Sequence, residues 1–168
     1  MAWALSCTAG LALLFPAHWD LDKLSEGSNV YFFPQQWGKV IDHAESAEGG
    51  LTTVTQSADG LLTLLTNGKF QGNNSEQGEM IAQKSIALIP LLHTAQRDTA
   101  LVIGYGTGMT PRVIHENEFR SLDIAELSED MVRLADRHFE NINHAVTSQP
   151  GVNTYYTDGR NFLLTQSK

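Results

Sequence analysis

Ala100-Leu101-Val102-Ile103-Gly104-Tyr105-Gly106-Thr107-Gly108-Met109-Thr110 decides the fold. An apolar run with β-branched residues ends in three glycines at alternate positions, and a helix-compatible segment follows. This reads as a strand entering a tight turn, where backbone can approach a ligand closely. Working outward, Leu122-Asp123-Ile124-Ala125-Glu126 is a second short apolar segment, ending on a carboxylate 22 residues beyond Gly104. A glycine turn with an acid about 20 residues later is how a doubly wound sheet holds a nucleoside, the acid taking the ribose hydroxyls.

The glycine spacing narrows the ligand. A nicotinamide fingerprint has glycine at its first, third and sixth positions, but the sixth position from Gly104 is Met109. The third glycine is Gly108 instead, and the resulting G-x-G-x-G points to an S-adenosylmethionine-type ligand, which brings no pyrophosphate to the helix N-terminus. Val152 to Thr157 reads as a third strand, ending in Asp158-Gly159-Arg160. The turn, Glu126 and Asp158 therefore fall at the carboxyl ends of consecutive strands, where open α/β sheets bind ligands. Gly104, Gly106 and Gly108 let backbone approach the ribose and the amino-acid-like tail. Glu126 can accept both ribose hydroxyls, and Asp158 can accept from the exocyclic amine of adenine. The blander readings are a solvated strand-end acid for Glu126 and a helix N-cap for Asp158; the cap is compatible with ligand binding.

Composition sets the frame. A chain of 168 residues, 42% apolar and 18% charged, can bury one core. The net charge of -8 argues against a nucleic-acid partner, which needs a basic footprint, and is compatible with a cationic small molecule. A single Cys7 excludes an internal disulfide and a cysteine zinc site. The six histidines show no metal spacing, so no metal and no prosthetic group is expected. Met1 to Phe15 is uncharged and mostly apolar. It is short of the roughly 20 residues that span a bilayer and lacks a basic signal-peptide start. It reads as a buried or dimer-forming element, an interfacial segment, or the tail of a membrane span.

Three regions follow: an apolar segment and connector over 1–28, a small antiparallel β region over 29–72, and a partial Rossmann-like nucleoside-binding region over 73–168. In the second, Asn29 to Phe33, Trp37 to Glu45, Leu51 to Gln56, Leu61 to Thr66 and Lys69 to Gln71 have strand character. Ala58-Asp59-Gly60 and Asn67-Gly68 are turn signals, and Gly72 to Asn74 reads as a loop. Ser75 is expected to cap a helix carrying Glu76 and Glu79 in its first turns, with Pro90 near its end. Helices are expected over Thr110 to Glu116, from Ser128 along Met131, Val132, Ala135, Phe139 and Ile142, and over Asn161 to Leu164. The fold class is α/β: the first half of a Rossmann-like S-adenosylmethionine-dependent methyltransferase fold behind a small antiparallel β region.

Asn67-Gly68-Lys69-Phe70-Gln71, Pro90-Leu91-Leu92, Leu101 to Gly108, Glu126-Leu127-Ser128 and Thr157-Asp158-Gly159-Arg160-Asn161-Phe162-Leu163 resemble, in order and spacing, the spermidine synthase (polyamine aminopropyltransferase) family. The likeness covers roughly residues 29–168 and is closest to bacterial spermidine-synthase-like members fused to a membrane domain. The resemblance implies aminopropyl transfer from decarboxylated S-adenosylmethionine, as co-substrate, to a diamine such as putrescine. It also implies a homodimer, a cytoplasmic location with possible membrane association through the N-terminal segment, and a place for Gln71 at the donor or amine site. The family's acidic pair before a Tyr stands here as Glu76-Gln77 with Met80. Its catalytic aspartate follows a fourth strand, and the chain ends at Lys168 before one, so the catalytic residue is unassigned and no turnover is expected from this polypeptide alone. An S-adenosylmethionine-dependent methyltransferase and a non-catalytic dimerising remnant stay open as alternatives.

Overall fold

The computed structural model describes residues 19–166, so the readings on Met1 to Phe15, Cys7 and His18 lie outside the described residues. Among the described residues, no helix is long and apolar enough to cross a membrane. Two short helices, α1 (Leu21–Ser25) and α2 (Ser28–Tyr31), lead into an antiparallel meander of β1 (Lys39–Ser46), β2 (Gly50–Gln56), β3 (Leu62–Thr66) and β4 (Lys69–Asn73). Helix α3 (Glu79–Leu91) then crosses to β5 (Thr99–Ile103), α4 (Met109–His115), β6 (Ser121–Glu126), α5 (Glu129–His138), α6 (Glu140–Asn143), β7 (Val152–Tyr156) and α7 (Gly159–Thr165). Strands β5, β6 and β7 are parallel and lie side by side in chain order, with Val102 level with Ile124 and Ile124 level with Thr154. The result is mixed α/β, a partial methyltransferase-like sheet behind an antiparallel one.

Several local expectations need correction. Asn29 to Phe33 forms no strand: Ser28–Tyr31 is a single helical turn, opened by Gly27 and closed by Phe32, both at positive φ. Tertiary contacts override the β propensity there, because the Tyr31 ring packs on Trp37 at 6.1 Å and its hydroxyl accepts the amide of Phe70. Part of the 18–28 connector is helical, with Asp20 capping α1. Strand β1 starts at Lys39 because Gly38, at φ 97, turns the chain where an added Cβ would meet the Gln56 carbonyl. Gly72 and Asn73 continue β4 opposite Leu64 and Thr63.

Ser75 does not cap α3. Its carbonyl accepts the amides of Gly78 and Met80, which delays the helix to Glu79 and leaves Glu76 exposed outside it. Pro90 sits inside the last turn of α3. The long amphipathic helix after β6 breaks at Phe139 into α5 and α6, although Met131, Val132, Ala135, Phe139 and Ile142 are all buried as their spacing predicts. Ser128 does cap α5, its hydroxyl accepting the Met131 amide at 3.2 Å.

The two sheets share a core. Val54 and Leu64 of the meander join Met131, Leu134, Ala135 and Phe139 in one buried cluster, with α5 packed on β1 and β2. This seats the meander beside the glycine turn.

Candidate functional site

Two β-bulges aim residues away from the meander. In the β3–β4 ladder, Leu64 faces Gly72 and the next residue, Leu65, faces Phe70, which makes Gln71 the extra residue. A bulge redirects the side chain it inserts, and Gln71 here lines a cleft of about 610 Å³ between α3 and β5. Its carbonyl oxygen lies 3.4 Å from where a Cβ on Gly106 would stand, so strand β4 abuts the glycine turn. The second bulge, at Ile41 in β1, presents Asp42 to α5. There Asp42 Oδ2 lies 2.7 Å from His138 Nε2 and accepts from Arg137 at 2.8 Å. Those partners hold the Asp42 carboxyl down to about 2 against the opposing pull of partial burial.

The three glycines differ in what they do. All have positive φ: 88° at Gly104, 56° at Gly106 and 82° at Gly108. A Cβ on Gly104 would meet nothing within 4 Å, so this residue leaves open space at the end of β5. A Cβ on Gly108 would stand 2.6 Å from Asn143 Cβ and 2.7 Å from the Tyr105 ring. Gly108 is buried and permits packing of α6 against the turn; it does not line the cleft, as Gly104 and Gly106 do.

Glu126 is not a solvated strand-end acid: it is only 7% exposed. One carboxylate oxygen accepts the Tyr105 amide at 2.8 Å and the other the Ser128 amide at 2.9 Å. Four lone-pair sites are available on a carboxylate, so two amides fix its orientation and leave acceptor capacity. The neighbouring strand ends are tied to the same point, since Gly104 donates to the Ala125 carbonyl and Thr157 to that of Glu126. Asp158 caps α7, accepting the Asn161 amide at 2.9 Å, and is otherwise exposed. Glu126 and Asp158 do not line the cleft.

Three further features escaped the sequence reading. The Tyr105 hydroxyl donates to Asp136, which also accepts from Thr147 at 2.6 Å, and this pins the glycine turn onto α5. Burial first, and the Asp136 carboxylate second, push the Tyr105 phenol far up. Next, Thr107 Oγ1 donates to Gln83 Oε1 at 2.6 Å, and Gln83 Nε2 donates to Glu79 Oε1 at 2.9 Å. Gln83 is buried and lies close against Gly72, where a Cβ would stand 2.5 Å from Gln83 Nε2. Finally, Glu79 rather than Glu76 faces the cleft. The usable signal was the four-residue spacing of Glu79 and Gln83, which stacks them on one helical face.

The sequence matches no family model and no curated protein. Solved structures do match. A spermidine synthase in complex with the transition state analogue AdoDATO is 16% identical, with a TM-score of 0.65 over 74% of this chain. The spermidine synthase from Thermotoga maritima is also 16% identical over 74% of this chain, with a TM-score of 0.66. The fold is spermidine synthase-like. The chain spans less than half of those proteins, 43% and 42% of their lengths. The spermidine synthase-like fold puts the glycine turn, Glu126 and Asp158 at adjacent strand ends, with the α3–β5 cleft beside them.

Proposed function

We propose that the carboxyl ends of β5, β6 and β7 hold the nucleoside of an S-adenosyl-type co-substrate, and that the adjoining cleft serves aminopropyl transfer to an amine. The observation that carries this is the Glu126 carboxylate, buried and fixed by two amides next to the open backbone of Gly104. In this reading Glu126 takes the ribose hydroxyls, Asp158 uses its free lone pairs on the adenine amine, and Gln71, beside Gly106, meets the donor's tail. The AdoDATO ligand of a structural neighbour supports a nucleoside of this class.

The decarboxylated donor fits better than S-adenosylmethionine. Among the described residues no Lys, Arg or His lines the cleft, and its one acidic side chain is Glu79. A donor carboxylate would find no cationic partner there and would meet the like charge of Glu79. That favours aminopropyl over methyl transfer. Among the described residues no group is assigned to deprotonate an attacking amine, and the chain is expected to bind without measurable turnover. The division into a meander region and a nucleoside region, and a homodimer formed through the meander end, belong to the same proposal; sedimentation velocity tests the dimer.

Calorimetric titration with decarboxylated S-adenosylmethionine, S-adenosylmethionine and methylthioadenosine tests the reading. Binding is expected to be tightest for the decarboxylated donor; equal or tighter binding of S-adenosylmethionine would favour a methyltransferase.

A further inference from the structure

Helices α1 and α2 and the hairpin ends of the meander enclose a groove with apolar walls and a polar rim. Helix α1 is tied to the meander by Ser25, buried and donating to Thr53 Oγ1 at 3.0 Å. At the corner between the two helices Gly27 sits against Gly68, where an added Cβ would stand 2.6 Å from the Gly68 carbonyl oxygen. The groove measures about 590 Å³, a size that takes several apolar side chains. Its walls are Trp19, Leu21, Leu24 and Leu51, with Trp19 68% and Leu24 43% exposed. The polar residues beside them are already paired. Asn67 Oδ1 accepts the Leu51 amide, Asn29 donates to the Asn67 carbonyl, and Ser28 donates to Glu26. An apolar surface rimmed by polar groups marks a docking site.

The chain itself supplies the occupant. Residues 1–18 join the described part at Trp19, which is one wall of the groove. Residues 1–15 carry no charged side chain, and Leu11, Leu13, Leu14 and Phe15 bring bulky apolar groups next to Pro16. From Phe15 to Trp19 the backbone spans at most about 14 Å. So short a tether holds the segment near the groove at an effective concentration on the order of millimolar. An uncharged segment also enters without desolvating an unpaired ion. We propose that residues 11–15 dock in this groove of their own chain and cover Trp19, Leu24 and Leu51. The proposal does not depend on the nucleoside reading.

The test uses the full chain with p-benzoylphenylalanine in place of Phe15, irradiated in dilute solution and mapped by mass spectrometry. Cross-links within one chain are expected at Leu51 and Asn67, which are too distant in sequence to be reached through the tether alone. Leu24→Asp, an exposed site whose change leaves the core intact, should lower the Leu51 adduct about tenfold. The same probe at Leu13 gives an independent reading should the Phe15 replacement not fold. Adducts confined to other surfaces of a folded chain, or an unchanged yield in Leu24→Asp, would overturn the proposal. A covalent dimer as the main product would assign the groove to a second copy instead. Loss of the Leu51 adduct in favour of lipid adducts on phosphatidylcholine vesicles would assign the segment to a membrane surface and overturn it equally.

Discussion

The glycines of the turn make opposite demands on a methyl group. At Gly104 a Cβ meets open space, so Gly104→Ala carries only the left-handed backbone strain of about 1 kcal/mol. The chain should remain folded in urea denaturation and lose nucleoside binding by about tenfold or more, because the methyl occupies the ligand's path. At Gly108 the same change drives a Cβ into Asn143 and Tyr105. Strain and overpacking together should cost about 3 kcal/mol in the same urea experiment. Sequence alone could not separate the two, since both read as members of one motif. Glu126 was legible from its place at a strand end, but its locking by Tyr105 and Ser128 was not: those amides reach it only once the turn and the α5 cap have formed.

Among the elements, β5 to β7 and the helices between them were readable because their local patterns agree with their tertiary setting. Ser128 supplied a cap, Met131 to Ile142 an apolar face, and Gly104 a turn. The failures fall where a partner decides the structure. Tyr31 leaves the strand its neighbours favour because Trp37 and Phe70 receive it. Glu79 enters the cleft because the Ser75 carbonyl delays the helix. Both bulges, at Gln71 and Ile41, depend on the pairing of two strands and leave no mark in either one. The second bulge supports a pH prediction. Asp42 has its folded pKa lowered, from 3.8 to about 2, so its contact with Arg137 and His138 stabilises the fold above pH 3.8, and that contribution fades as pH falls toward 2. Asp42→Asn should therefore lower stability at neutral pH by about 1 kcal/mol after solvent screening. The gap between variant and parent should narrow as pH falls below about 4 and close toward pH 2 in urea titrations.

At the scale of the whole molecule, the meander and the helix Glu129–His138 share one buried cluster that holds Val54, Leu64, Met131 and Leu134. Unfolding should accordingly be one cooperative event. Leu64→Ala, in the meander, should destabilise by about 2–5 kcal/mol. It should shift tryptophan fluorescence and far-ultraviolet dichroism to the same urea midpoint; separate midpoints would show two independent cores. The same packing fixes β4 against the glycine turn and Glu126 beneath it, and the claim that this junction holds an S-adenosyl-type nucleoside is the centre of the account. Calorimetry of Glu126→Ala against the parent chain, with decarboxylated S-adenosylmethionine, tests it most directly. The account predicts saturable heat from the parent and none from the folded variant, whereas equal affinity in the two, or no heat from a folded parent, would contradict it.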